Sequence, residues 1–164
     1  MTKTVLIVST FVLLGCGIDL GTEQSKEYTT QDIKNQTPKG KHNGQDWSML
    51  KAQVEVDSFD SNRLEIELYN EEIEVCKNKN PQKPFVRFTV TKAEGTYPLG
   101  ISLSKGTGTS VNFVTPPAKN TILTQGLISI EKLTDTLVTV GLVTEGGEYH
   151  LNGRFTVDRC PAKK

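Results

Sequence analysis

The chain has 164 residues, of which 35% are hydrophobic and 23% charged, and its 19 Lys and Arg balance 19 Asp and Glu. That length accommodates one domain with appendages, not two full-sized domains, and the apolar fraction excludes wholesale disorder. Zero net charge lacks the basic excess with which proteins collect nucleic-acid phosphates, so no nucleic-acid partner is expected.

The first element is a targeting segment. Lys3 supplies a minimal positive start, and residues 5–14 are apolar except for Ser9 and Thr10. A membrane-spanning helix needs about 20 apolar residues, and here Asp19, Glu23 and Lys26 follow too soon. A short apolar run behind a positive start has the form of a secretory signal; the competing assignment is a buried strand or helix of the domain.

The run ends in Leu13-Leu14-Gly15-Cys16, which resembles the lipobox of bacterial lipoproteins. The resemblance implies cleavage between Gly15 and Cys16 and a diacylglycerol on the Cys16 sulfur as the membrane contact. A small residue at position 15 lets a peptidase approach the backbone, and two acyl chains hold where one would hold marginally. The single lysine of the n-region departs from the two or more that are usual. Gly17, standing where an Asp would favour inner-membrane retention, leans toward the outer membrane if the cell has one.

From residue 17 to about 43 apolar residues are sparse and follow neither a 3.6 nor a 2 period. Such a segment buries too little surface to offset its ordering entropy and is expected to be a tether. Asn35-Gln36-Thr37 matches a glycosylation sequon, read as a chance match because the lipobox resemblance implies a bacterium. The expected division is a signal peptide over residues 1–15, a lipidated N-terminus and flexible tether over 16–43, and an all-β domain over 44–164.

After Trp47 two-residue alternation takes over. Val54 and Val56, then Leu64, Ile66 and Leu68, are spaced by polar residues, and Ile73 and Val75 continue the pattern. Val86, Phe88 and Val90 follow, then Val111 and Phe113, Ile128 and Ile130, Val138, Val140 and Leu142, and Leu151, Phe155 and Val157. Turn-forming residues separate them at 60–62, 78–84, 106–108, 116–117 and 145–148, the last reading as a tight hairpin. About eight strands with one polar face each predict an antiparallel β-sandwich or a small closed barrel. Residues 47–53 suit either a turn of helix or a first strand. The final meander over 126–158 is similar to the C-terminal half of many small all-β lipoproteins of unknown function, and Gly153 within it signals a bulge or a close backbone approach.

With Cys16 assigned to lipid, Cys76 and Cys160 remain. An exported protein meets an oxidising compartment in which two cysteines commonly pair, and this pair would tie the last strand to the middle of the sheet. The alternative is two free thiols, but neither has a histidine near in sequence to activate it.

Little else carries chemistry. His42 falls in the tether and His150 on the polar face of the last strand, with no metal-ligand spacing around either. Glu65, Glu67, Glu71, Glu72 and Glu74 form an acidic stretch whose carboxylates could serve glycoside hydrolysis or calcium; Glu65 and Glu67 also read as outward residues that guard a sheet edge. The glycine-rich 105–110 segment has its lysine first and no following helix, which excludes a P-loop. Lys163 and Lys164 form a solvated tail that could brush anionic lipid.

No catalytic residue, cofactor or metal is assigned. The expectation is a non-catalytic binding or structural role at the envelope, with a protein, a glycan or a small apolar molecule as partner and the 78–84 and 105–110 loops as its surface. The alternatives are an envelope hydrolase using the 64–75 carboxylates and an inhibitor of an envelope-attacking enzyme, marked by a rigid protruding loop near the disulfide.

Overall fold

Where apolar and polar residues alternate most strictly, the chain forms its innermost strands: Leu64, Ile66 and Leu68 have no exposed surface, nor do Val86, Phe88, Val138, Val140 and Leu142. The computed structural model describes residues 26–77, 80–102, 107–117 and 119–161. Among these a 3-10 turn, Thr30–Asp32, precedes thirteen strands: β1 Lys39–His42, β2 Gln45–Ser48, β3 Lys51–Val56, β4 Arg63–Tyr69, β5 Phe85–Thr91, β6 Gly95–Pro98, β7 Gly100–Ser102, β8 Thr107–Thr109, β9 Val111–Thr115, β10 Lys119–Leu123, β11 Gly126–Leu133, β12 Leu137–Thr144 and β13 His150–Asp158.

The strands form two antiparallel sheets, neither closed on itself. Sheet I has the order β2-β1-β13-β12-β11-β6 and sheet II the order β10-β9-β5-β4-β3, with β7 and β8 as a separate ribbon. Both sheets contribute to one core, in which Phe88 and Phe113 meet Ile128, Leu142 and Leu151, so the arrangement is that of a sandwich. Trp47 is buried and its indole N–H donates to the Pro84 carbonyl at 3.0 Å, which satisfies the ring's one polar atom.

The strand count exceeds the expected eight because short pairs were not legible as alternation. The β1–β2 hairpin turns at Asn43 and Gly44, both at positive φ (54° and 74°), the backbone a two-residue type I′ turn requires. Ile73 and Val75 do not extend a strand; residues 70–77 form a loop that returns along β3. There Cys76 and Cys160 bring their sulfurs to 2.09 Å, disulfide distance. Cys160 also donates its N–H to the Val54 carbonyl, and Arg159 bridges Val54 in parallel, so the chain end after β13 in sheet I is stitched to β3 in sheet II.

The tether assignment is corrected over residues 26–43. This stretch crosses the outer face of sheet I as a strap and then enters the sheet as β1. Ile33 is buried against Leu127 and Val143, with Tyr28 beside them. Polar groups fix the rest: Asn152 donates to the Asp32 carbonyl (2.9 Å) and accepts from the Lys34 N–H (2.7 Å). Arg154 donates to the Thr30 (3.0 Å) and Ile33 carbonyls and to Glu131 (2.7 Å). Bare backbone on the sheet makes room: a Cβ on Gly141 would stand 3.1 Å from two Ile33 carbons, and one on Gly153 would stand 2.5 Å from the Gln36 carbonyl oxygen. Order thus comes from side chains of the last strand, far away in sequence, and not from any period within the strap.

His42 is likewise not in a tether but buried between the sheets, its ring 5.4 Å from Phe113 and 5.3 Å from Tyr149. Burial, with Lys119 adding repulsion, holds its pKa below the ordinary imidazole value. Residues 1–15, Cys16 and the lysine tail lie outside the described residues.

Candidate binding site

The outer face of sheet II carries a polar cluster built by strand alternation. Gln53 on β3, Glu67 on β4 and Arg87 on β5 lie in register across three adjacent strands, so their side chains share one face. Glu67 is almost fully buried and accepts from all its neighbours: Arg87 Nε at 2.8 Å and Nη2 at 2.6 Å, Tyr69 O–H at 2.5 Å and Gln53 Nε2 at 2.8 Å. Gln53 in turn accepts from the Cys76 N–H at 2.9 Å, which couples the cluster to the disulfide loop. The expectation of Glu67 as an outward, solvated residue is therefore corrected, because the 70–77 loop and Arg87 cover it.

The electrostatics follow from that enclosure. Burial, then the hydrogen bond and charge of Glu67, push the Tyr69 phenol far above its ordinary pKa, so it stays a donor. Burial works against the Arg87 charge, but Glu67 by charge and hydrogen bonding, with Glu65, outweighs it and raises the pKa. Burial also raises the Glu65 pKa, partly offset by Arg87, whose Nε lies 3.7 Å away.

Arg87 does not stop at this cluster. Its side chain is 46% exposed and, with its carbon centre 5.5 Å from the Phe85 ring centroid, it reaches an open groove of about 730 Å³. Asn80, Gln82 and Asn120 supply amides around this groove, and Pro81, Pro116 and Pro117 supply flat apolar edges. The rim is preset: the N–H groups of Gln82 and Lys83 both donate to Glu71 Oε1 at 2.9 Å, and Gln82 Nε2 donates to the Asn80 carbonyl at 2.9 Å. Beneath, Phe85 is buried and stacked on Tyr69 with 5.6 Å between centroids. Of the two loops expected to bind, 78–84 contributes Asn80, Pro81 and Gln82 to this groove. Of 105–110, Thr107–Thr109 is the β8 strand, Ser110 precedes β9, and positions 105–106 lie outside the described residues.

The acidic stretch does not gather in a shared cleft. Glu67 holds Arg87, Tyr69 and Gln53, and Glu71 caps the groove rim. Glu72 pairs with Lys51 at 3.1 Å and Glu74 with Lys77. Among the described residues no group of three or more His, Cys, Asp or Glu could hold a metal ion. His150 sits half-exposed at the start of β13, on the face where the sequence places it. Sequence reasoning missed Gln53, Tyr69, Arg87 and Asn120. Arg87 was legible only as the polar partner between Val86 and Phe88, and nothing local marks a charged residue that faces a groove.

A second feature stands at the β3–β4 hairpin tip. Phe59 is 98% exposed, and its tip is fixed by Asp57, which accepts from the Phe59 N–H (2.7 Å), and by Asp60, which accepts from the Asn62 N–H (2.9 Å). The chain matches no protein-family profile, no curated protein and no solved structure.

Proposed function

We propose that the chain is a lipid-anchored binding protein of the bacterial envelope, held by a diacylglycerol on Cys16, that takes a glycan in the groove beside Arg87. The anchor reading is supported by the Lys3 start, the short apolar run and Leu13-Leu14-Gly15-Cys16. An outer-membrane address is the corresponding proposal where the cell has such a membrane. The Cys16→Ala protein should leave the membrane fraction; if it still fractionates with membranes, the anchor reading fails.

The binding reading is carried by one observation, a preset groove in which amides alternate with flat apolar edges. A sugar presents hydroxyls that both donate and accept, set between C–H faces. Amides answer both roles, Arg87 adds donors, and the prolines offer flat contact. A small apolar ligand would leave these polar groups unpaired, which disfavours it. The hydrolase alternative is disfavoured because no carboxylate lines the groove among its described residues, and Glu67 and Glu71 are committed to protein donors. Co-sedimentation with purified cell-wall glycan, backed by calorimetry on an oligosaccharide panel, tests the reading. Arg87→Gln should weaken binding about tenfold through loss of charge-assisted hydrogen bonds; an unchanged affinity would remove the groove from the account.

A second reading is favoured by Phe59. A rigid, protruding tip lies on the strand that Cys160 stitches, which suits insertion into the cleft of another protein, as an inhibitor of an envelope-attacking enzyme would do. Phe59→Ala abolishing a measured inhibition, with glycan binding intact, would establish that role separately.

A further inference from the structure

The opposite outer face carries a second groove, of about 460 Å³, where the strap meets β1 and β2. Lys39 and Lys41 stand two residues apart on β1 and so project to one side. In register beside them are Asn152 and His150 of β13 and Ser48 and Asp46 of β2. The strap adds Lys34, whose backbone N–H is held by Asn152. Three lysines and a histidine therefore converge on one groove with a single carboxylate, Asp46.

That carboxylate neutralises little. The Lys41–Asp46 pair is 3.5 Å long and the Asp46 side chain is 95% exposed, the kind of surface pair that contributes about 1 kcal/mol or less. Lys34 and Lys39 have no ion-pair partner among the described residues, whereas on the same outer face Arg154 meets Glu131 at 2.7 Å and Lys26 meets Glu145 at 3.3 Å. Gathering like charges opposes folding unless something of opposite sign is bound. The floor is polar, formed by Asn152, Ser48 and Gln36, and Trp47 is too deeply buried to stack on a ligand.

We propose that this groove binds a phosphate-bearing anion of one or two phosphates. A long polyanion does not fit a chain of zero net charge. The phosphate has two chemically equivalent sources, a lipid headgroup or a soluble phosphate compound. The headgroup source rests on the anchor reading: ten residues from Cys16 to Lys26 span at most about 35 Å, which would keep the strapped face near the bilayer surface. The soluble source does not depend on it, nor does either source depend on the glycan groove.

The test uses the full chain in neutral detergent micelles at low salt, titrated with pyrophosphate or with phosphatidylglycerol doped into the micelles, and followed by amide chemical shifts. Saturable shifts at Lys34, Lys39 to Lys41 and His150 to Asn152 are expected. Lys34→Gln and Lys39→Gln should each weaken binding about two- to fivefold, and Asp46→Asn should tighten it about twofold, as exposed charge pairs allow. Lys92→Gln, outside the groove, should change nothing. Response to the doped micelles alone assigns the headgroup, and response to pyrophosphate alone assigns a soluble phosphate. Shifts confined to other residues, or no saturation by either probe, overturn the proposal, and because they are read on the natural sequence they do so even if a variant fails to fold.

Discussion

The two outer faces of the sandwich place an arginine–glutamate pair in the same chemical role and use it to opposite effect. On sheet I, Arg154 pairs with Glu131 through Nε and donates from Nη1 and Nη2 to the Ile33 and Thr30 carbonyls, so the strap closes over this side chain. On sheet II, Arg87 pairs with a far more deeply buried carboxylate, Glu67 at 5% side-chain exposure, and leaves its outer half in an open groove. Each guanidinium has more donors than one carboxylate can take. What covers the surplus decides the outcome: backbone carbonyls make a lock, and solvent leaves a contact available to a ligand.

Four experiments probe that contrast, from the largest expected effect to the smallest. The groove face has a covalent tie, and the strap face has none among the described residues. Replacing Cys76 and Cys160 together by Ser should cost about 4–5 kcal/mol, the loop-closure value for a separation of 84 residues, read from urea unfolding under oxidising conditions. A loss below about 1 kcal/mol would mean that the loop is held by its other contacts alone.

Glu67→Leu leaves Arg87, Tyr69 and Gln53 without their common acceptor and should cost about 2–3 kcal/mol, reduced from a fully buried pair by the exposure of Arg87. The matching Glu131→Leu change should cost about 1 kcal/mol or less, since Arg154 keeps its two carbonyls and the pair is partly exposed. Equal costs would erase the distinction between the faces.

Ile33→Ala removes the main apolar anchor of the strap and should cost about 2 kcal/mol. Its sharper readout is limited proteolysis, in which cleavage within residues 26–38 should accelerate while cleavage within 70–77, tied by the Cys76–Cys160 disulfide, does not. Simultaneous cleavage of both segments would show that the strap does not open on its own.

Acidification should separate the faces by sign. The Asp32 pKa is held low by the Thr29 backbone and side-chain hydrogen bonds, and that of Glu145 by the hydrogen bonds of Tyr28 and Lys26. Their contribution is present above the ordinary carboxylate range and lost as pH falls through the lowered folded values, so the strap should loosen in acid. Glu65 is shifted upward, chiefly by burial, so its contribution is present below the ordinary range and lost as pH rises through the raised value. Hydrogen exchange between about pH 3 and 6 should show the strap amides losing protection toward acid while the β4 amides around Glu65 do not follow; parallel loss on both faces contradicts the assignment.

The sequence made the two inner faces legible because burial there imposes a strict period of two: Leu64 to Leu68, Val86 to Val90 and Val138 to Leu142 all declare their strands. The β1–β2 hairpin is also written locally, in Asn43-Gly44, but charged and polar residues dominate both flanking strands and mask their alternation. The strap was not locally legible. Its buried anchor Ile33 and half-buried Tyr28 stand five residues apart, and its remaining ties come from Asn152 and Arg154, about 120 positions later. The groove was hidden for a similar reason: Arg87, Gln82 and Asn120 become neighbours only when β5, its preceding loop and β10 assemble. Glu67 misled because alternation places it outward, where Arg87, Tyr69, Gln53 and the returning 70–77 loop enclose it.

The central claim is that sheet II leaves Arg87 to a glycan in a preset groove while on sheet I the strap takes up Arg154. Amide chemical-shift mapping of the full chain in neutral detergent, titrated with cell-wall oligosaccharides, tests it most directly. Saturable shifts centred on Gln82, Arg87 and Asn120, with a midpoint raised about tenfold by Arg87→Gln and the strap amides unmoved, are the predicted result. Shifts centred on the strap, or no saturation by any oligosaccharide of the panel, would contradict it.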